Sequence, residues 1–136
     1  GQLDLRAWVL FFVLWAWQIP HTMAIWIYRR KEYQDAGYAI LPSLLTKEKM
    51  VWAVIGTSFL YILGTGLIWG VGLGGLIYAL VALLSGVWFM AIASSVDTAK
   101  SLNQWARKVF LATLVHQTVI FMVLALDVGL RAMLGA

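Results

Sequence analysis

The sequence contains no cysteine and only two prolines in 136 residues. Without thiols there is no disulfide framework and no thiolate metal site. Charge is also scarce. Asp, Glu, Lys and Arg make up 12% of the chain, against 62% hydrophobic residues, whereas soluble domains carry about 25% charge. Three stretches have no charged residue at all: Ala7–Tyr28, Met50–Val96 and Val109–Leu126. The middle one is too long for a single membrane crossing of about 20 residues. It breaks naturally at Gly70-Val-Gly72-Leu-Gly74-Gly75, a turn-prone run. These lengths exclude an ordinary soluble domain and predict an all-α integral membrane protein with four transmembrane helices. The expected spans are about 7–28, 50–69, 76–96 and 106–127, joined by loops 29–49 and 97–105. No secretory leader is read at the N-terminus, and Gly1 in place of Met leads to the expectation that the chain starts inside a longer protein.

The few charges are placed unevenly. Arg29, Arg30, Lys31, Lys47 and Lys49 lie between the first two spans, and Lys100, Arg107 and Lys108 lie around the connection to the fourth. Only Arg6 and Arg131 fall on the other side. The positive-inside rule therefore places loops 29–49 and 97–105 on the cytoplasmic side, or on the matrix side of a mitochondrion. The inner membrane of a bacterial-type cell, or that of a mitochondrion, is the expected location. Topology accounts for the net charge of +4. The basic residues flank spans and form no continuous stripe, so no nucleic-acid partner is expected. Trp8, Trp69 and Trp105 fall near span ends, where indole rings favour the membrane interface. Trp15, Trp17 and Trp26 are deeper and are candidates for a cavity wall.

Polar groups inside a bilayer are costly and usually functional. The first span holds Gln18, Pro20, His21 and Thr22. Gln18, His21 and Thr22 stand at i, i+3 and i+4, and are expected to share one helix face. Pro20 lacks an N–H and frees the carbonyl of Ala16. Just past this span come Arg29, Lys31, Glu32 and Asp35. Carboxylates bind Mg2+ and cationic side chains neutralise phosphate, so the cluster suits a diphosphate; by spacing alone it equally suits a solvated helix with local ion pairs. Thr46 is a candidate helix N-cap. Gly56, Gly64, Gly66, Ala79, Ala82 and Gly86 are expected to form packing seams. His116 and Gln117 sit at mid-depth in the last span, where core hydrogen bonding is the expected role.

These blocks resemble a known family. Trp17-Gln18-Ile19-Pro20-His21, Tyr28-Arg29-Arg30-Lys31-Glu32-Tyr33-Gln34-Asp35-Ala36-Gly37, Ile40-Leu41-Pro42 and Trp105-Ala106-Arg107-Lys108-Val109-Phe110 follow one another as in the heme O synthases, the protoheme IX farnesyltransferases of the UbiA superfamily. The resemblance implies the second half of a UbiA-type helical prenyltransferase bundle. It implies transfer of a farnesyl group from farnesyl diphosphate to a vinyl group of heme B, with Mg2+ assisting departure of diphosphate. By that resemblance Glu32 is a catalytic and metal-binding candidate, Arg29 neutralises diphosphate, and Tyr33 closes the site. His21 and Gln18 line the substrate cavity, with Lys31 and Asp35 as adjacent binding candidates. The sequence departs from the family pattern at Thr22 and Ala39. It also has no N-D-x-x-D-x-x-x-D motif, which superfamily members carry in their first half. The isolated chain is therefore expected to be inactive without an N-terminal half bearing that motif. Two alternatives remain at this stage: a UbiA-type enzyme with a quinone-ring or lipid acceptor, and a non-enzymatic heme-binding subunit using His21 and His116.

Overall fold

The computed structural model describes residues 4–38, 45–96 and 101–135. Ile40, Leu41, Pro42, Asp97 and Lys100 lie outside the described residues. Helix α1, Leu5–Tyr28, begins at Asp4, whose carboxylate accepts the Ala7 N–H at 3.1 Å. It runs without a break through buried Pro20. Helix α2, Arg30–Asp35, follows directly. Helix α3, Lys47–Gly70, starts at Thr46, whose hydroxyl accepts the Lys49 N–H at 3.3 Å. Glu48 in its first turn complements the helix dipole. Helix α4 is Leu76–Ala93 and helix α5 is Leu102–Met133, the latter capped by Ser101.

α1 packs on α3 and α5, and α4 packs on the same two helices from the other side. The four long helices thus close a bundle. On α5 the inward stripe is Trp105, Val109, Thr113, His116, Ile120, Leu124 and Asp127, a spacing of three to four residues that keeps one face inside. The opposite faces are apolar too: Leu76, Leu83, Leu84 and Val87 on α4 are all exposed. Helices that are hydrophobic all round and long enough to cross a bilayer define a multi-pass integral membrane protein.

Trp105 does not follow the interfacial expectation. It is fully buried and donates its indole N–H to the Ala93 carbonyl at 3.0 Å. Its place on the inward stripe of α5 overrides its nearness to a span end. Trp8 and Trp69 are exposed, as interfacial rings are.

The small residues divide into two groups. A Cβ on Gly64 would lie 3.2 Å from Phe12 and 3.3 Å from Val13, and one on Gly86 would lie 3.1 Å from Ile62. These two glycines let α3 approach α1 and α4. Gly56 and Gly66 face open space, so they lie outside the seam. Gly64→Ile is expected to destabilise the bundle by about 1–3 kcal/mol through overpacking, while Gly56→Ile leaves it nearly unchanged. Unfolding of both variants by sodium dodecyl sulfate in mixed micelles measures the difference; equal stabilities would show that the α1/α3 approach is not tight at Gly64.

Candidate active site

The charged cluster sits on α2, where every residue is at least partly exposed. Arg29 and Glu32 form an ion pair at 3.2 Å, with both side chains more than half exposed. Lys31 and Asp35 are exposed, and Tyr33 is partly covered. The helix ends because Gly37 adopts φ +81°. There the Gly37 N–H donates to Gln34 O at 3.0 Å and the Tyr38 N–H to Tyr33 O at 2.9 Å. This is the Schellman pattern, which glycine enters without the Cβ clash of other residues. The cap ends α2 as one short, largely exposed charged helix that follows α1.

Below it, α1 presents a groove of about 290 Å³ lined by Trp15, Gln18, Ile19, Thr22, Met23 and Trp26. Its walls are indoles and aliphatic chains, and its polar groups are Gln18 and Thr22. At about 1.5 Å per residue, it follows α1 for roughly 16 Å and stops one turn short of α2.

His21 does not share this groove. It turns toward α5, where Nδ1 lies 2.8 Å from the Thr113 hydroxyl. Its ring stacks on Trp17 at 4.5 Å and meets Phe110 at 5.0 Å between centroids. The reason is helical geometry. Positions i+3 and i+4 fall on either side of i and stand about 100° apart from each other. Gln18 and Thr22 therefore look outward, while His21 enters the α1/α5 seam. Trp17 turns the same way and donates its indole N–H to the Thr113 carbonyl at 2.9 Å.

His116 is a core residue. It is fully buried, with Nδ1 2.7 Å from the Tyr61 hydroxyl and Nε2 3.2 Å from Ser85 Oγ. Tyr61 also donates to Gln117 Oε1 at 2.8 Å. Both ring nitrogens lie within hydrogen-bond distance of a buried hydroxyl, the core role expected of His116 and one that counts against the bis-histidine heme subunit.

Two structural roles had no clear signal in the sequence. Asp127 is buried and accepts the Gly75 N–H at 2.5 Å. Arg131 lies 3.3 Å from the same carboxylate and donates to the Leu73 carbonyl. Gly75 stands at the N-cap of α4 without a side chain to cap it, and Asp127 reaches across from α5 to accept the Gly75 N–H itself. Thr113 holds both Trp17 and His21.

The fit of Mg2+ can be judged from the donors present. Among the described residues no three His, Asp or Glu side chains come together as a metal-holding group. Glu32 and Asp35 are two exposed carboxylates on one short helix, and Glu32 is already paired with Arg29. By themselves these residues do not make a Mg2+ site.

This is a membrane helical bundle whose α1 carries an aromatic groove one turn from a short, exposed charged helix. Comparison with known proteins narrows the class: residues 1–115 match the UbiA prenyltransferase family, and the chain belongs to that family. It is 34% identical over 125 residues to the protoheme IX farnesyltransferase of Sorangium cellulosum, covering 89% of this chain and 43% of that protein. It is 36% identical over 128 residues to the protoheme IX farnesyltransferase of Anaeromyxobacter dehalogenans, covering 93% and 43%. The enzyme of the same name from Paraburkholderia xenovorans is 29% identical over 136 residues, 100% of this chain and 45% of that protein. The chain thus spans less than half the length of these relatives. No solved structure matches it.

Proposed function

We propose that this chain is the C-terminal half of an intramembrane prenyltransferase that moves a farnesyl group from farnesyl diphosphate to a vinyl group of heme B, making heme O. The observation that carries the reading is the junction of the α1 groove with α2. An aromatic trough in the membrane stops one turn short of an exposed segment bearing Arg29, Lys31, Glu32 and Asp35. That order, apolar then charged, matches an isoprenoid diphosphate lying along the membrane normal. Arg29 neutralises the diphosphate, Lys31 adds a second cation, and Tyr33 covers the head. Indoles exclude water from the carbon at which the C–O bond breaks. The names of the relatives favour heme over a quinone ring or a lipid as acceptor.

In this reading the Mg2+ that accompanies diphosphate takes its principal ligands from an acidic motif outside these residues. Loops 29–49 and 97–105 face the cytoplasm or the mitochondrial matrix, and the α3–α4 turn faces the other side. Residues 1–136 alone are inactive, because the acidic residues and part of the cavity wall come from a preceding half.

An exposed ion pair contributes only about 0–1 kcal/mol to stability. Arg29 and Glu32 can therefore be changed without unfolding the bundle. In a full assembly with the acidic half, Arg29→Gln is expected to lower turnover about a hundredfold, the size of effect seen when one charge-stabilising group is removed from an active site, and Glu32→Gln, which frees Arg29 from its ion pair, to lower it less. Helix content and detergent stability stay at the parent level. Full turnover in both variants would remove α2 from the chemistry.

A further inference from the structure

We propose that the end of the bundle opposite α2 binds the phosphate of a membrane phospholipid, in a cleft held by Arg6 and Arg131. The inference does not depend on the prenyl-transfer reading.

The cleft has a volume of about 250 Å³ and is lined by Arg6, Gly72, Leu73, Val128, Arg131 and Ala132. One water takes about 30 Å³, so the space admits a phosphate group. Three parts of the chain meet there: the first turn of α1, the α3–α4 turn and the end of α5. Of the ten Lys and Arg in the sequence, only Arg6 and Arg131 flank the spans at this end. The fold brings both to one cleft.

Each guanidinium has donors to spare. Arg131 places Nε 3.3 Å from the Asp127 carboxylate and donates from Nη2 to the Leu73 carbonyl. Its Nη1 has no partner among the described residues. Asp127 thus balances the charge of Arg131, but nothing balances Arg6. Arg6 is exposed, and its guanidinium forms no ion pair with another described residue. It stands in the first turn of α1, the end of a helix where a cation is disfavoured. Asp4 uses its carboxylate to cap the Ala7 N–H, and positions two apart do not face each other on a helix. An uncompensated cation beside a second guanidinium is relieved by an anion lying between them.

The planar fork of arginine matches phosphate oxygens. The backbone of the turn has no donors to add. Gly72 N–H donates to Trp69 O at 2.9 Å, and Leu73 N–H to Ile68 O at 3.1 Å. Recognition therefore falls to the two side chains.

The surroundings favour a lipid over a free phosphate. Arg6 immediately precedes the charge-free run Ala7–Tyr28, so it stands at the membrane edge, where lipid headgroups lie. Leu73, Val128 and Ala132 make the rest of the cleft wall largely apolar. Leu5, Trp8, Val128 and Leu130 are exposed close by in the chain, which gives acyl chains a surface to lie against.

The test follows backbone amide signals of the 15N-labelled chain in dodecyl maltoside micelles by NMR. Three probes are titrated: dihexanoyl phosphatidylglycerol, dihexanoylglycerol with the same chains and no phosphate, and inorganic phosphate. Phosphatidylglycerol is expected to shift Gly72, Leu73 and Ala132 saturably. Dihexanoylglycerol leaves them in place, and inorganic phosphate needs at least about a tenfold higher concentration. Arg6→Gln raises the Kd for phosphatidylglycerol about tenfold, the order expected for one lost charge-assisted hydrogen bond, and Arg6→Lys raises it less. Unmoved signals in α3 and α4 show that the fold is kept. Arg107→Gln, at the other end of the bundle, leaves the Kd unchanged. Four results would overturn the proposal: no saturable shift with phosphatidylglycerol, equal binding of dihexanoylglycerol, an unchanged Kd in Arg6→Gln, or an equal loss in Arg107→Gln. Inorganic phosphate binding as tightly as phosphatidylglycerol would make this a free-anion site and overturn the lipid assignment.

Discussion

Trp105→Ala is expected to cost the bundle about 2–4 kcal/mol, the largest loss of any single substitution considered. Three contributions lead to that figure. Trp105 is the largest fully buried side chain, and it packs in the cluster of Met23, Ala24, Ile27, Met50, Val51 and Val54. Its truncation leaves a cavity, and soluble proteins lose about 3–5 kcal/mol for such a change. Part of that loss is transfer from water, which is absent when helices separate into lipid. The packing and cavity part remains. The Ala93 carbonyl also loses the indole N–H, and an unsatisfied buried acceptor costs about 1–3 kcal/mol. Trp8→Ala and Trp69→Ala, at exposed positions, are the controls and are expected near zero. Denaturation by sodium dodecyl sulfate, followed by far-UV circular dichroism, gives the three midpoints. A Trp105→Ala midpoint equal to that of Trp8→Ala would contradict the placement of α5.

The second large effect is at Asp127. Asp127→Ala removes the acceptor for the Gly75 N–H and strips Arg131 of its carboxylate. Breaking a buried pair by removing one partner costs about 3–5 kcal/mol. Arg131 is about one-third exposed and recovers some solvation, so about 2–3 kcal/mol is expected. The loss should be local. Amide hydrogen exchange at Gly75, Leu76 and Ile77 accelerates, while exchange in α1 holds. Asp127→Asn keeps an acceptor oxygen and is expected to recover part of the protection. Slow exchange at Gly75 in Asp127→Ala would mean that another group caps α4.

Much of the architecture was legible before any coordinates. Charge-free runs of bilayer length, broken by Gly70–Gly75, mark four apolar helices, because only closed hydrogen bonding crosses a membrane. The turn itself closes as glycine chemistry requires, with Gly72 at φ +78° and the Leu73 N–H donating to Ile68 O. Thr46 was legible as a cap by its residue type. Less legible was which side each polar residue takes. Period and spacing put Gln18, His21 and Thr22 close together, but the neighbours decide between a groove and a seam: α5 carries Thr113 and Phe110 where His21 can meet them. Trp105 shows the same limit. Its distance from the span end suggested an interfacial ring, whereas the inward stripe of α5 buries it. The role of Asp127 was not legible because its partner, the Gly75 backbone, has no side-chain signature. The charged residues of α2 were readable as a cluster, yet their meaning came from the family blocks and not from spacing. Two carboxylates three apart occur on many solvated helices.

The central claim is that this chain supplies half of a heme-farnesylating site. The direct test co-expresses it with the acidic-motif half of a related protoheme IX farnesyltransferase, purifies the assembly in nanodiscs, and supplies heme B, farnesyl diphosphate and Mg2+. Product hemes are separated by reversed-phase chromatography and weighed by mass spectrometry. The account predicts heme O from the assembly, none from either half alone, and a sharp loss with Arg29→Gln. A correctly paired assembly that yields no prenylated heme, or heme O formed by residues 1–136 alone, would contradict it.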